Sequence, residues 1–252
     1  MVLVSALLAG LCSMGAGSCH GGNVGTHVCL QCHNGREAPD QSAFASSKHG
    51  FMECETCHGP GYAHVRNGGQ GGLLIGNPAN LPFAETYGLC EECHEETTAE
   101  YKLSVHAAGG WATCHDCHDV HRPVDASPEK ADNRVCLQCH AFTGFGDDAA
   151  VEAHTHHPVA PAATGASRCT SCHLPPLERT GQADGPHDHT LMGIPPARSA
   201  AQARDDEPVL PNSCSGIAGC HDGSVPSAPV FDVDDPELND GLQILYDEWF
   251  GD

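Results

Sequence analysis

Between Leu89 and His121 the chain reads LCEECHEETTAEYKLSVHAAGGWATCHDCHDVH. Two Cys-x-x-Cys-His pentapeptides, Cys90-Cys93-His94 and Cys114-Cys117-His118, enclose the Ser-x-His of Ser104-Val105-His106, and His121 follows the second. The pentapeptide recurs as Cys29-Cys32-His33, Cys54-Cys57-His58, Cys136-Cys139-His140 and Cys169-Cys172-His173, six copies in all. Chance at this composition would supply roughly 0.07 copies. A disulfide framework has no use for a His directly after the second Cys. A zinc array is the competing reading, but zinc does not demand the same pentapeptide each time. Covalent c-type haem does: two thiols add to the two vinyl groups, and the adjacent imidazole reaches the metal from one face.

The rest of the composition agrees. The 252 residues hold 16 Cys and 19 His against seven Phe, four Tyr and two Trp. Hydrophobic residues are 40%, a share that already counts the cysteines, so side chains alone offer a thin core. With 29 Gly and 18 Pro, long helices and regular sheets are disfavoured. The expected fold is mostly irregular with short α-helices and little or no β-sheet, organised compactly around a chain of haems. A formal net charge of −22 excludes a nucleic-acid binder, since the chain would repel phosphates. Haem propionates would make the folded protein more acidic still.

A seventh attachment site is read at Cys214-Ser-Gly-Ile-Ala-Gly-Cys220-His221, where the spacer is stretched to five residues. Its two glycines let the backbone loop outwards while both sulfurs still reach the vinyls. The competing reading is a disulfide beside an unrelated His. Cys12 and Cys19-His20 remain. They form an eighth, looser haem site, a plain thiol pair or disulfide, or part of a processing region, residues 1–24, in which the apolar run Met1 to Leu11 resembles a secretion signal with a lipoprotein box. That run is too short to span a membrane, so membrane contact is expected only through such a signal or lipid anchor.

Each metal needs a second axial ligand. Outside the seven motif histidines stand twelve others: His20, His27, His49, His64, His106, His115, His121, His154, His156, His157, His187 and His189. Only four Met compete, one of them Met1, so bis-histidine ligation is favoured, and it gives lower potentials than His/Met. A repeat guides the choice. Residues 28–64 and 89–121 each run attachment site, Ser-x-His, attachment site, His, and 135–173 is a looser copy holding His154, His156 and His157. His49, His64, His106, His121, His157 and His189 are the expected distal ligands, with His27 as a seventh. His115 lies inside its own motif and is poorly placed to reach another metal.

Two stretches resemble the doubled-CxxCH multihaem cytochromes, a group that includes periplasmic decahaem conduits and relatives of cytochrome c nitrite reductase. They are Cys57 to His64, CHGPGYAH, and Ser104 to His121. Residues His156-His157-Pro158, Cys172-His173-Leu174-Pro175 and Asp188-His189-Thr190 are similar to segments of the nitrite-reductase-related superfamily. Over residues 25–221 the resemblance implies closely packed, bis-His haems and secretion to the periplasm or outer surface. One departure matters: the Cys-x-x-Cys-Lys site that typically holds the active haem of those reductases is missing from this sequence.

Three segments complete the organisation: an N-terminal piece (1–24), a cytochrome domain (25–221) and an acidic tail (222–252). Successive first cysteines lie 22 to 45 residues apart, room for one short helix at most between most sites. Pro158–Gly165 and Pro195–Pro211 read as Ala/Pro-rich connectors. In the tail, Asp235-Pro236-Glu237 signals a helix start, and Leu238, Leu242, Leu245 and Trp249 mark its apolar face. That face packs on the cytochrome's own core or docks a partner. The expected function is extracytoplasmic electron transfer by about seven c-type haems, without a catalytic residue. Expected partners are redox proteins, either in a membrane-bound complex or as identical subunits of a haem filament. The competing function is reduction of a small nitrogen or sulfur oxyanion at a five-coordinate haem, with the loose Cys214–Cys220 site as its seat.

Overall fold

The computed structural model of the chain describes residues 22–70, 74–122, 133–159, 167–177, 186–217 and 219–251. Cys12, Cys19 and His20, and with them the signal and eighth-site readings, lie outside the described residues. The chain divides into two units, Met1–Asn80 and Leu81–Asp252.

The first unit holds α1 (Thr26–Cys32), α2 (Cys54–His58) and α3 (Tyr62–Arg66), with a 3₁₀ turn at Ser42–Ser46 that buries Phe44. Its organiser is Glu55, a carboxylate inside the second Cys-x-x-Cys spacer. Glu55 accepts the N–H groups of Val24 at 2.9 Å, Gly25 at 2.8 Å and Gly61 at 2.7 Å. Burial pushes its pKa up, but the N–H donors of Gly25, Gly61 and Val24 outweigh this and hold it below the usual carboxylate range.

The second unit holds α4 (Phe83–Glu91), α5 (Glu95–Tyr101), α6 (Val105–Gly109), α7 (Cys114–Cys117), α8 (Arg134–His140), α9 (Asp148–Thr155), α10 (Cys169–His173), α11 (Pro196–Arg204) and α12 (Pro236–Phe250). No strand occurs among the described residues; one isolated bridge joins Pro176 and His187. The chain is thus a set of short helices and irregular segments. No helix among the described residues is long and apolar enough to cross a membrane.

The interval between Cys90 and Cys114 holds two helices, α5 and α6, an exception to the one short helix expected between most sites. One expectation needs correction. The Ala/Pro stretch after Pro195 is no simple connector but begins with α11, because Pro196 occupies the first helical turn, where a missing N–H costs nothing.

Helix α12 starts where Asp235 accepts the N–H groups of Glu237 and Leu238. It packs on α11, yet its inward row centres on Asn239 and Leu242; Leu245 and Trp249 stay 40% and 43% exposed. The reason is a buried polar knot. Asn212, at 0% exposure, donates to Ser199 on α11, Ser215 and Asn239 on α12, at 2.8, 2.8 and 3.1 Å. Asn239, also fully buried, donates to the carbonyls of Val233 and Asp235, so the knot leaves no side-chain amide unmatched.

Candidate metal centres

The motif sites alternate in a regular way. The first site of each repeat closes a helix: Cys29 and Cys32 lie in α1, Cys90 in α4, and Cys136 with Cys139 in α8. The second site opens one: Cys54 begins α2, Cys114 begins α7 and Cys169 begins α10. A helix end therefore meets a helix start inside each repeat, and the two first thiols come together. Cys29 and Cys54, Cys90 and Cys114, and Cys136 and Cys169 are within hydrogen-bonding reach. Burial and the neighbouring Cys54 push the Cys29 thiol up to about 11, while its bond from Cys90 draws Cys114 down to about 7.

Between repeats the second cysteines make the connection. Cys117 lies beside Cys136 and Cys139, and Cys172 lies beside Cys214 and Cys220. Burial pushes Cys117, Cys172 and Cys214 each up to about 11, so these thiols stay neutral at pH 7. The Cys172 thiol and carbonyl both meet Ser213, at 3.7 and 2.8 Å, which ties the sixth site to the seventh. At the seventh, Asn212 accepts the N–H groups of Cys214 and Ser215. Gly216 and Gly219 take positive φ values of 81° and 80°, the freedom that the five-residue spacer demands. In the second unit the sites thus follow one another in sequence order, third to seventh. No disulfide joins any two of the fourteen described cysteines.

Among the described residues, these pairs of imidazoles face each other. The ring centres of His106 and His140 are 5.8 Å apart, His118 and His189 6.3 Å, His154 and His173 6.2 Å, and His157 and His221 6.0 Å. Metal–nitrogen bonds of about 2 Å, with each ring centre about 1 Å behind its nitrogen, separate two axial rings by about 6 Å. The four pairs are spaced to hold one metal each.

Local structure aims them. Ser104 accepts the N–H of Ala107 and so caps α6, whose second residue is His106. Asp147 caps α9 in the same way and places His154 in its last turn. His173 donates from Nδ1 to the Leu191 carbonyl at 3.0 Å, His221 to Pro229 at 2.8 Å, His189 to His187 at 2.7 Å, and His157 to Thr155. A ring that gives its Nδ1 proton to a carbonyl keeps the Nε2 lone pair for a metal. In the first unit His58 does likewise with Gly76 at 2.8 Å, an approach so close that a Cβ on Gly76 would meet the His58 carbonyl oxygen at 2.9 Å.

A family model described as cytochrome c554 and c-prime matches residues 89–174. The multiheme cytochrome MtrA of Shewanella baltica (strain OS185) is 27% identical over 160 residues, which cover 60% of this chain and 46% of that protein. Both findings support a multihaem c-type cytochrome. The alignment spans about half the length of this curated relative, and no solved structure matches the cytochrome.

The residues fit haem. Among the described residues the buried apolar core is only eight side chains, whereas Phe51, Leu103, Trp111 and Phe142 are largely exposed and suited to covering a macrocycle. The buried Nδ1 atoms of His64 and His106 have no hydrogen-bond partner within the chain, as for polar atoms that await a bound group.

Of the expected distal ligands in the cytochrome, His106, His157 and His189 each face a motif histidine. His154, set aside in favour of its neighbour His157, faces His173; its place on a capped helix was the available signal. His27 lies beside Glu53, and the backbone N–H of His49 donates to Ser47 at 3.2 Å. The ring of His121 is 3.9 Å from the Asp119 carboxylate. His115 bonds to Thr113 at 2.8 Å. His156, at a positive φ of 55°, stacks on Trp249 at 4.3 Å. His187 donates to the Leu174 carbonyl at 2.7 Å.

Proposed function

We propose that this multihaem cytochrome is an extracytoplasmic electron carrier with seven c-type haems, each metal held by two histidines. When bound, each haem supplies a reversible one-electron iron couple, and a row of them supplies a path for electrons. The chain's own residues do the rest. Cys29/Cys32, Cys54/Cys57, Cys90/Cys93, Cys114/Cys117, Cys136/Cys139, Cys169/Cys172 and Cys214/Cys220 would anchor the groups as thioethers, replacing ionisable thiols by neutral links. His33, His58, His94, His118, His140, His173 and His221 would bind one face of each metal. His106, His189, His154 and His157 would cap four of the other faces, and His27, His49, His64 and His121 are the candidates for the remaining three.

The facing histidine pairs carry the reading. A capped metal has no open position for a substrate, and His157 opposite His221 does so even at the loose seventh site, the seat proposed for an enzyme. The partners would then be redox proteins in the periplasm or at the outer surface.

Two measurements test this together. Intact mass under denaturing conditions should show seven covalent haems, eight only if Cys12 and Cys19 also bind. Electron paramagnetic resonance of the oxidised protein should show low-spin signals alone. A high-spin signal that responds to nitrite or sulfite would replace the carrier by a reductase. A polymer that gains a five-coordinate haem on dissociation would make it a filament subunit.

A further inference from the structure

The N–H groups that open a helix have no partner inside it and are usually capped by the residue just before. At α2 and α10 that residue, Glu53 or Arg168, makes no such cap. The cap comes instead from the other attachment helix of the repeat. Thr26 Oγ1 accepts the Cys54 N–H at 3.0 Å, and the Glu53 carboxylate returns a bond by accepting the Thr26 N–H at 2.6 Å. Asn133 Oδ1 accepts the Cys169 N–H at 2.9 Å, and its amide donates to the Ser167 carbonyl at 2.8 Å. Thr26 and Asn133 occupy the same place in their repeats, three residues before the first cysteine, and each clasps the first cysteine of the partner site.

The middle repeat carries Tyr87 at this place and has no such clasp among the described bonds. Tyr87 donates to the Thr98 carbonyl and stacks on Tyr101 at 6.3 Å, and Tyr101 donates to the Ala112 carbonyl at 2.5 Å. The start of α7 is secured locally, by Asp116 accepting the Thr113 N–H at 2.6 Å. One sequence position thus ties the two sites directly in the outer repeats and through two aromatic rings in the middle one.

We propose that Thr26 and Asn133 are positioning residues that fix the mutual seating of paired haem-attachment sites, and through it the coupling between the two haems of each pair. The inference rests on the haem-carrier reading above. Each clasp joins the backbone of one attachment site to the helix carrying the other, so its loss frees one pair while the rest of the molecule stays as it was.

The test uses the full-length holoprotein with Thr26→Val, Thr26→Ser and Asn133→Leu. Haem count is read by denaturing mass, and the redox components by potentiometric titration followed in the visible spectrum. Thr26→Val should keep every haem and move two components, Thr26→Ser should restore them, and Asn133→Leu should move a different two. A Thr26→Val protein short of two haems, with Thr26→Ser complete, supports the clasp equally. Full haem content with unchanged components in both Thr26→Val and Asn133→Leu overturns it, as does one uniform shift of the whole titration or a Thr26→Ser protein that fails like Thr26→Val. A parent protein without covalent haem would overturn the carrier reading itself, an outcome distinct from failure of the clasp.

Discussion

Four histidine pairs of nearly equal separation differ in the angle between their rings. His154 and His173 lie 10° apart, His118 and His189 32°, and His157/His221 and His106/His140 are crossed at 68° and 72°. Aligned imidazoles raise one iron d-orbital of the π set above the other, whereas crossed rings leave the two nearly equal. Magnetic resonance should therefore resolve a rhombic low-spin signal from the His154/His173 site and strongly anisotropic ones from the crossed pairs. His154→Ala should remove the rhombic signal and add a high-spin one; His115→Ala should change neither. Glu55 gives a pH signature. Its folded pKa lies below the unfolded one, so its stabilisation is complete above about pH 4 and fades as the pH falls through the folded value. Glu55→Gln should cost about 1–3 kcal/mol at neutral pH and flatten the acid limb of stability, as melting curves between neutral and acid pH would show. That both His154 and His157 meet a motif histidine was hard to read in the sequence, because three histidines in four residues look alike until the Asp147-capped helix is placed. His106 was legible, since the Ser before it is both half of a repeated signature and the cap that aims it.

At the scale of elements, short helices here are defined by what caps them more than by their length. The repeat made the paired sites legible, but not their head-to-tail arrangement, which depends on caps donated from 28 and 36 residues away. The α11–α12 packing is a sharper case. The apolar spacing of Leu238, Leu242, Leu245 and Trp249 locates the helix correctly, yet Asn239 takes the centre of its buried row because Asn212 and Ser215 wait opposite it. A buried Asn is unreadable in sequence when its partners are remote. Asn212→Ala would leave Asn239 and the N–H groups of Cys214 and Ser215 short of partners, at a cost of about 2–4 kcal/mol. Hydrogen exchange should register this first at Cys214 and Ser215. Leu242→Ala, a cavity in the same seam, should cost a similar amount but loosen α12 rather than the attachment loop.

Across the molecule, eight buried apolar side chains among the described residues cannot offset the chain entropy of folding. Composition announced this deficit. Protein made without haem attachment should consequently show no cooperative melt by circular dichroism and should be digested rapidly by protease, while the mature form resists. The C-terminal stretch from Asp205 onward, which carries the seventh site, contains no Lys or Arg. Association with a basic redox partner through this end should slow as salt is raised, as stopped-flow kinetics would show.

The facing histidines also prescribe an order of assembly. His118 meets His189, 71 residues further on, and His157 meets His221 after 64. If these pairs hold the metals as proposed, a chain delivered from its N-terminus would keep the fourth site half-coordinated until its last quarter arrives and would close the seventh site last of the facing pairs. Each closure then acts as a staple across a long loop, restraining the unfolded chain much as a cross-link of that span does. Chains stopped after residue 180 should accordingly carry their early haems covalently yet show the fourth in a high-spin state.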